Sequence, residues 1–416
     1  MAPSATRPPI ALPAILAALA MLGPFSIDTA FPAFAQMRSD FGVGAGQMQL
    51  VVSAYLLAFA AMSLFHGPIS DAVGRRWVML VGVGVYTAAS IGCALAPNLS
   101  ALLAFRALQG LSAGGGVIVS RTIVRDLYSG AQAQRLMSTV AMIFGLGPAI
   151  APIVGGLILQ VASWHAIFWF LAAFGVLLLI AVGFGLPETH PPERRTPFRP
   201  APMLRDLVSV ARHARFQQVA WASALTFSGQ FLYIGAAAIF IVDLLHRGET
   251  DFWIFFVPMV AGVIIGSWVS GRAAGRLSGR RLISIGFAVT LAAAALNVLL
   301  AATPATQRLP YAVVGPSLMA FGIATAFPTL QLTALDLFPQ RRGTAASVMT
   351  FIALTVNGVL ASALAPLVTG SLLTLASAAL GLVLAGLLAW AMYLRSSQPV
   401  TEPPADPQTL EPTDQM

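Results

Sequence analysis

Apolar residues in this chain run in blocks, each long enough to cross a hydrocarbon layer of ~30 Å as a helix. The blocks are separated by short polar or Pro- and Gly-rich joints. Twelve spans are predicted, at 10–34, 47–66, 77–96, 100–125, 133–158, 163–187, 214–243, 251–271, 282–301, 310–335, 343–370 and 371–395. The longest polar interruption, ETHPPERRTPFRPAPMLRDLVSVARH at 188–213, divides them six and six. The pattern therefore predicts an all-α polytopic membrane protein made of two six-helix bundles, one over 1–187 and one over 214–395. A cytoplasmic central loop at 188–213 joins them, and the Pro- and acid-rich tail at 396–416 has the composition of a disordered segment.

An internal echo supports this division. SDAVGRR at 70–76 returns as GRLSGRR at 275–281, each just after the second helix of its half, at an offset of 205 residues. Gly74, Arg75 and Arg76 fall on Gly279, Arg280 and Arg281, while Asp71 falls on Arg276.

Composition sharpens the picture. Of the 416 residues 57% are hydrophobic and 9% charged, against roughly 25% charged in an ordinary soluble domain. The formal charge is +8, and all 23 basic residues are Arg. No soluble basic domain or aromatic platform accompanies that charge, so nucleic acid is not an expected partner. Cys93 is the single cysteine and the five His are scattered, which leaves no intrachain disulfide, no metal-ligand spacing and no expected cofactor. Arg7, an apolar run and AFA at 33–35 imitate a signal peptide. The run is too long for a signal core and Asp28 interrupts it, so the first segment is expected to stay in the membrane.

Arginine placement predicts orientation. With the N-terminus in the cytoplasm, 19 of the Arg fall on the cytoplasmic side, only Arg38, Arg247 and Arg308 fall outside, and Arg106 lies within a span. Positive residues favour the cytoplasm, so both termini are expected there.

Asp28 and Arg106 are the two charges set well inside spans. Each lies about six residues from the outer end of its helix, or about 9 Å deep at ~1.5 Å per residue. Ionisable groups at such depth are costly and mark functional sites by default. If both face one cavity, Arg106 favours the ionised form of Asp28 and their separation lets Asp28 take up a proton; a static ion pair holding the bundle together is the plainer alternative. GPISDAVGRR at 67–76 reads as the joint between helices 2 and 3, with Gly67 and Pro68 ending one helix, Asp71 at the positive end of the next and Arg75 and Arg76 left in the cytoplasm. Asp126, at the same end of helix 4, is placed to bridge to Arg75 in a clasp that parts when the cytoplasmic side opens. GLGPAIAPIVGG at 145–156 sets Gly145, Gly147, Pro148, Pro152, Gly155 and Gly156 inside helix 5, where glycine permits close helix approach and proline a bend. Pocket polar groups are Tyr55, Gln109, Gln230, Tyr233, Asn297, Gln331 and Asn357; Asp243 and Asp336, near span ends, read as solvated or capping groups.

These stretches together resemble the major facilitator superfamily over about residues 10–395. GPISDAVGRR resembles its loop 2–3 signature, LLAFRALQG at 102–110 its helix 4 signature, and GLGPAIAPIVGG its helix 5 antiporter signature. SIDTAFPAF, RALQGLSAGGGVIVSRTIVRDLYSG and WHAIFWFLAAFGVLLL with the later LPET resemble more narrowly the Bcr/CflA branch, the bicyclomycin and chloramphenicol resistance exporters. The resemblance implies drug:proton antiport across the bacterial inner membrane, with Asp28 and Arg106 coupling the proton and Asp71, Arg75 and Asp126 forming a cytoplasmic gate. SIDTAFPAF departs from the branch in lacking the Tyr that often follows this Asp. The expected partners are a small amphiphilic substrate and the lipid bilayer, with the chain acting as a monomer and the proton as coupling ion. Proton-linked transport of a specific metabolite is the alternative, and no nucleophile–base pair or phosphate loop supports an enzyme.

Overall fold

The computed structural model describes residues 12–128, 136, 147–148, 150–195, 198–248, 250–273, 276–339 and 341–396, and these are helical almost throughout. Ten helices among them are long and apolar enough to cross a membrane. Two more predicted spans complete the pattern differently. The 133–158 span is described mainly through α9 (Ile150–Leu159). The 214–243 span is formed by α12 (Ala214–Gly235) and a π-helical stretch, Ile239–Leu244.

The first span is longer than its apolar run suggested, extending over Leu12–Phe41, and it is broken. It comprises α1 (Leu12–Ala20), α2 (Leu22–Asp28), a 3-10 turn at Phe31–Ala33 and α3 (Phe34–Phe41). Pro32 has no amide N–H to return to the carbonyl of Asp28, four residues earlier, so the α-helix gives way immediately after Asp28. Gly42, at φ 64°, ends the span with a left-handed cap.

The remaining helices of the first group are α4 (Ala45–Met48), α5 (Leu50–Ser63), α6 (His66–Val73), α7 (Arg75–Ala94), α8 (Leu99–Leu127), α9 and α10 (His165–Gly185). The segments α1, α2, α5 and α7 gather around α8, whose N-terminus is capped by the Asn98 side chain accepting from the Ala101 N–H. In the second group α12, α13 (Trp253–Ala273), α14 (Gly279–Ala302), α15 (Tyr311–Asp336), α16 (Arg342–Val359) and α18 (Leu372–Ser396) pack on one another, with α17 (Ala365–Val368) between the last two. The groups meet where α5 runs along α16. There a Cβ on Gly358 would stand 2.8 Å from Leu57, and one on Gly46 3.2 Å from Pro366.

The segment 188–213, expected as a loop, contains α11 (Pro200–Ala211). Its Leu207 and Val210 are buried in the core of the second group with Phe216 and Trp390, so apolar burial, not connection alone, orders it. The described chain begins and ends on one face: Ile15 reaches Gly185 at the end of α10, and Ser396 donates to Gln218 near the start of α12. That face carries Arg75, Arg76, Arg341 and Arg342 and is called the arginine-rich face below.

Candidate functional site

Arg106 is fully buried on α8 and is the centre of a hydrogen-bonded loop joining four helices. Its Nη1 donates to the Ser26 carbonyl at 2.7 Å and to Gln109 Oε1 at 2.9 Å, and its Nε donates to the Val51 carbonyl at 3.2 Å. Gln109 Nε2 donates to Ser90 Oγ at 2.7 Å, Ser90 donates to the Tyr86 carbonyl at 2.8 Å, and the Tyr86 hydroxyl shares a 2.6 Å hydrogen bond with Ser26 Oγ. The Tyr55 ring lies under the guanidinium, 4.7 Å from centroid to Cζ, where the negative ring face offsets buried positive charge. Bonds to carbonyls of α2 and α5 place Arg106 at the break in the first span, where regular helical pairing is interrupted.

Asp28 is 4% exposed and lies two residues beyond the Ser26 carbonyl to which Arg106 donates. The plainer alternative, a static ion pair, is not formed among the described residues. Arg106 is the charge that Asp28 feels, yet no described residue donates to its carboxylate or stands within ion-pair reach of it. Arg106 Nη2 is likewise buried without a partner among the described residues. A carboxyl so placed can gain or lose a proton without a salt bridge first having to break.

Helix 5 presses on the first span to either side of this carboxyl. A Cβ on Gly147 would lie 2.5 Å from the Pro24 Cβ, and one on Gly155 would lie 2.1 Å from the Thr29 carbonyl oxygen. The glycines thus let two backbones meet within one turn of Asp28. Pro152 and Gly156 are buried in the same stretch, Pro148 is half-buried, and Gly145 lies outside the described residues.

On the arginine-rich face the 67–76 stretch corrects the sequence reading. Gly67 and Pro68 do not end a helix; they occupy the first turn of α6, where the missing proline N–H costs nothing. Arg75 does not remain in solvent but is 4% exposed. It pairs with Asp71, one turn back, at 2.5 Å and with Asp126 at 3.2 Å, and donates to Ser70 Oγ. The Arg75–Asp126 clasp therefore forms. All its partners belong to the first helix group, so it braces that group internally. Glu188, which the sequence reading left without a role, accepts from the amide N–H groups of Arg75, Arg76 and His190 and caps α7. Gly74, at φ 109°, leaves the room this needs, since a Cβ there would lie 2.5 Å from Glu188 Oε2. Arg76 donates to the Gly183 carbonyl, and Thr189 donates to Asp126.

The other pocket positions separate. Tyr55 and Gln109 belong to the Arg106 loop. Tyr233 accepts from Asn297 at 2.7 Å, and Asn357 accepts from Ser228 at 2.8 Å, so these tie α12 to α14 and to α16. Gln230 is 3% exposed, with both amide atoms unpartnered among the described residues. Gln331 is half-buried near the end of α15, and no described contact brings it to the others. Asp336 pairs with Arg342 in solvent, whereas Asp243 is no helix cap: it pairs with Arg38 across the two helix groups. Ser26, Tyr86 and Ser90 were missed because a hydroxyl in an apolar span usually satisfies itself on its own helix, as Ser90 partly does.

Residues 16–362 match the Major Facilitator Superfamily. The chain belongs to that superfamily. It is a multi-pass membrane transporter, and within the superfamily it is 28% identical over 355 residues to a bicyclomycin resistance protein homologue of Haemophilus influenzae, covering 84% of this chain and 87% of the relative. It is 28% identical over 351 residues to multidrug resistance protein D of Escherichia coli, covering 84% and 86%. Both agree with the Bcr/CflA resemblance. The solved D-xylose-proton symporter shares the fold at TM-score 0.71 and 14% identity, covering 90% of this chain and 96% of its own. In this superfamily member the unpaired carboxyl, the Arg106 loop and the helix 5 glycines meet at one break in the first span.

Proposed function

We propose that this transporter exports small amphiphilic compounds, antibiotics among them, in exchange for protons, by alternating access across the bacterial inner membrane. The observation that carries the reading is Asp28, a buried carboxyl without a partner among the described residues, felt by Arg106 and flanked by the close approach of helix 5. The names of the two resistance relatives support the substrate class.

Asp28 is the proton carrier, and proton and substrate compete for the site it faces. Arg106 holds α2, α5 and α8 at fixed spacing through three bonds, so a charge change at Asp28 alters the field at the point where these helices join. The two six-helix bundles, 1–187 and 214–395, rock about this central site as a monomer. Both termini lie in the cytoplasm, supported by the Arg distribution, and the braced Asp71, Arg75, Asp126 cluster moves with the first bundle when the cytoplasmic side opens. One elementary charge crossing 100 mV yields about 2.3 kcal/mol, which sustains a substrate gradient of roughly 50-fold per proton.

The test uses inside-out membrane vesicles carrying the full chain, energised to an acidic interior, with a panel of amphiphilic antibiotics added while lumenal pH is followed. Compound-dependent proton release into the medium supports exchange. Proton movement in the same direction as the compound would replace it with symport.

A further inference from the structure

On the face opposite the arginine-rich one, the two helix groups meet through a single ion pair among the described residues, Arg38 Nη1 to Asp243 Oδ2 at 3.1 Å. The two residues are 205 positions apart, the same offset that separates the echoed stretches at 70–76 and 275–281. Equivalent positions of two copies related by a two-fold axis touch only on that axis. The pair therefore marks where the axis between the bundles, and with it the central route, leaves the protein on this face.

Against the pair lies a small cleft with room for about one water, lined by Phe31, Phe34, Gln49 and Val242 as well as by Arg38 and Asp243. Gln49 is wholly buried, and neither end of its amide has a hydrogen-bond partner among the described residues. Such a group marks a place for water or another polar ligand. Its depth follows from Arg106, which bonds the Ser26 carbonyl on one helix and the Val51 carbonyl on the antiparallel neighbour. With 26 level with 51, position 28 is level with position 49. Thr29 Oγ1, beside Asp28, is also buried and unpartnered.

We propose that this chamber is the compartment from which Asp28 exchanges its proton with that face, with Gln49 holding the water that carries the proton and the Arg38–Asp243 pair closing the chamber on the axis. The inference rests on the reading of Asp28 as proton carrier. In the step itself an O–H bond forms at an Asp28 oxygen as one breaks in a hydronium supplied from bulk water, leaving a neutral water beside Gln49.

Two measurements on the full chain in liposomes test it. In a Cys93→Ala background, Gln49→Cys is exposed to a charged, membrane-impermeant thiol reagent. Labelling is expected to be slow with the pair intact, at least tenfold faster with Arg38→Ala and Asp243→Ala together, and slow again in the swap Arg38→Asp with Asp243→Arg. Equal rates in all three backgrounds would overturn the lid, whatever the protein transports. Secondly, the carboxyl infrared band that is lost in Asp28→Asn is followed after a pH jump. Gln49→Leu is expected to slow its appearance at least tenfold while leaving its final amplitude unchanged. An unchanged rate would overturn the role of Gln49, whereas absence of any Asp28-dependent band would remove the proton-carrier reading itself.

Discussion

Arg106 donates to the main-chain oxygen of Ser26 at 2.7 Å, two residues before Asp28, and the Asp28 carboxyl has no direct partner among the described residues. Main-chain oxygens cannot change charge, so two of the bonds that hold the guanidinium do not themselves depend on whether Asp28 is protonated. The cation stays in place and its field acts on a carboxyl free to titrate.

Replacing Arg106 tests this arrangement. Arg106→Lys keeps the charge but loses the planar fork that reaches Ser26, Val51 and Gln109 together. At roughly 0.6–1.7 kcal/mol for each buried bond in a membrane bundle, the loss is expected to be about 2 kcal/mol. Thermal unfolding of the detergent-purified protein measures it. Stability equal to that of the parent chain would show that the loop does not hold the four helices.

Helix 5 gives a sharper steric prediction. Gly155→Ala places a Cβ 2.1 Å from the Thr29 carbonyl oxygen, a backbone atom that cannot swing aside. Overpacking of this kind costs about 1–3 kcal/mol, and export is expected to fall at least tenfold as the two helices are forced apart beside Asp28. Gly84→Ala, where a Cβ meets nothing within 4 Å, is the control and should change stability by less than about 0.5 kcal/mol. Equal tolerance at both positions would contradict the close packing.

The cap on α7 predicts a loss unrelated to transport chemistry. Glu188→Ala removes a carboxylate that accepts from three amide N–H groups, and about 1 kcal/mol of stability is expected to go with it. Gly74→Ala should cost at least as much, since it combines a φ of 109° with a clash against the same carboxylate. Chemical or thermal unfolding of both variants checks this, with Arg199→Ala, exposed at the start of α11, as the neutral comparison.

What was legible in the sequence follows from what is local. Apolar run length located the spans, and Arg placement drew one face, because both depend on each segment's own transfer energy into lipid. Asp28 and Arg106 stood out because a charge inside a span is costly wherever its neighbours lie. Their relation did not, because two of the three hydrogen-bond partners of Arg106 are main-chain carbonyl oxygens, and every residue has one. The same holds for Glu188, which accepts from two amide N–H groups more than a hundred positions away as well as from that of nearby His190. Asp243 reads as a solvated or capping group and is solvent-exposed; its partner Arg38 could not be foreseen because it approaches from the other helix group. The α11 helix was hidden by the Pro and Arg around it; its two buried apolar residues matter only once the second group offers them a core.

The most direct test of the account is Asp28→Asn in proteoliposomes carrying the full chain and an antibiotic found to be transported. An imposed pH gradient should drive accumulation of the compound against its own gradient in the parent protein. In the Asn variant that accumulation should disappear while downhill exchange of the compound persists, since the side chain keeps its size and loses its ability to take up and release a proton. Accumulation by Asp28→Asn at the parent level would contradict the claim that this carboxyl carries the coupling proton.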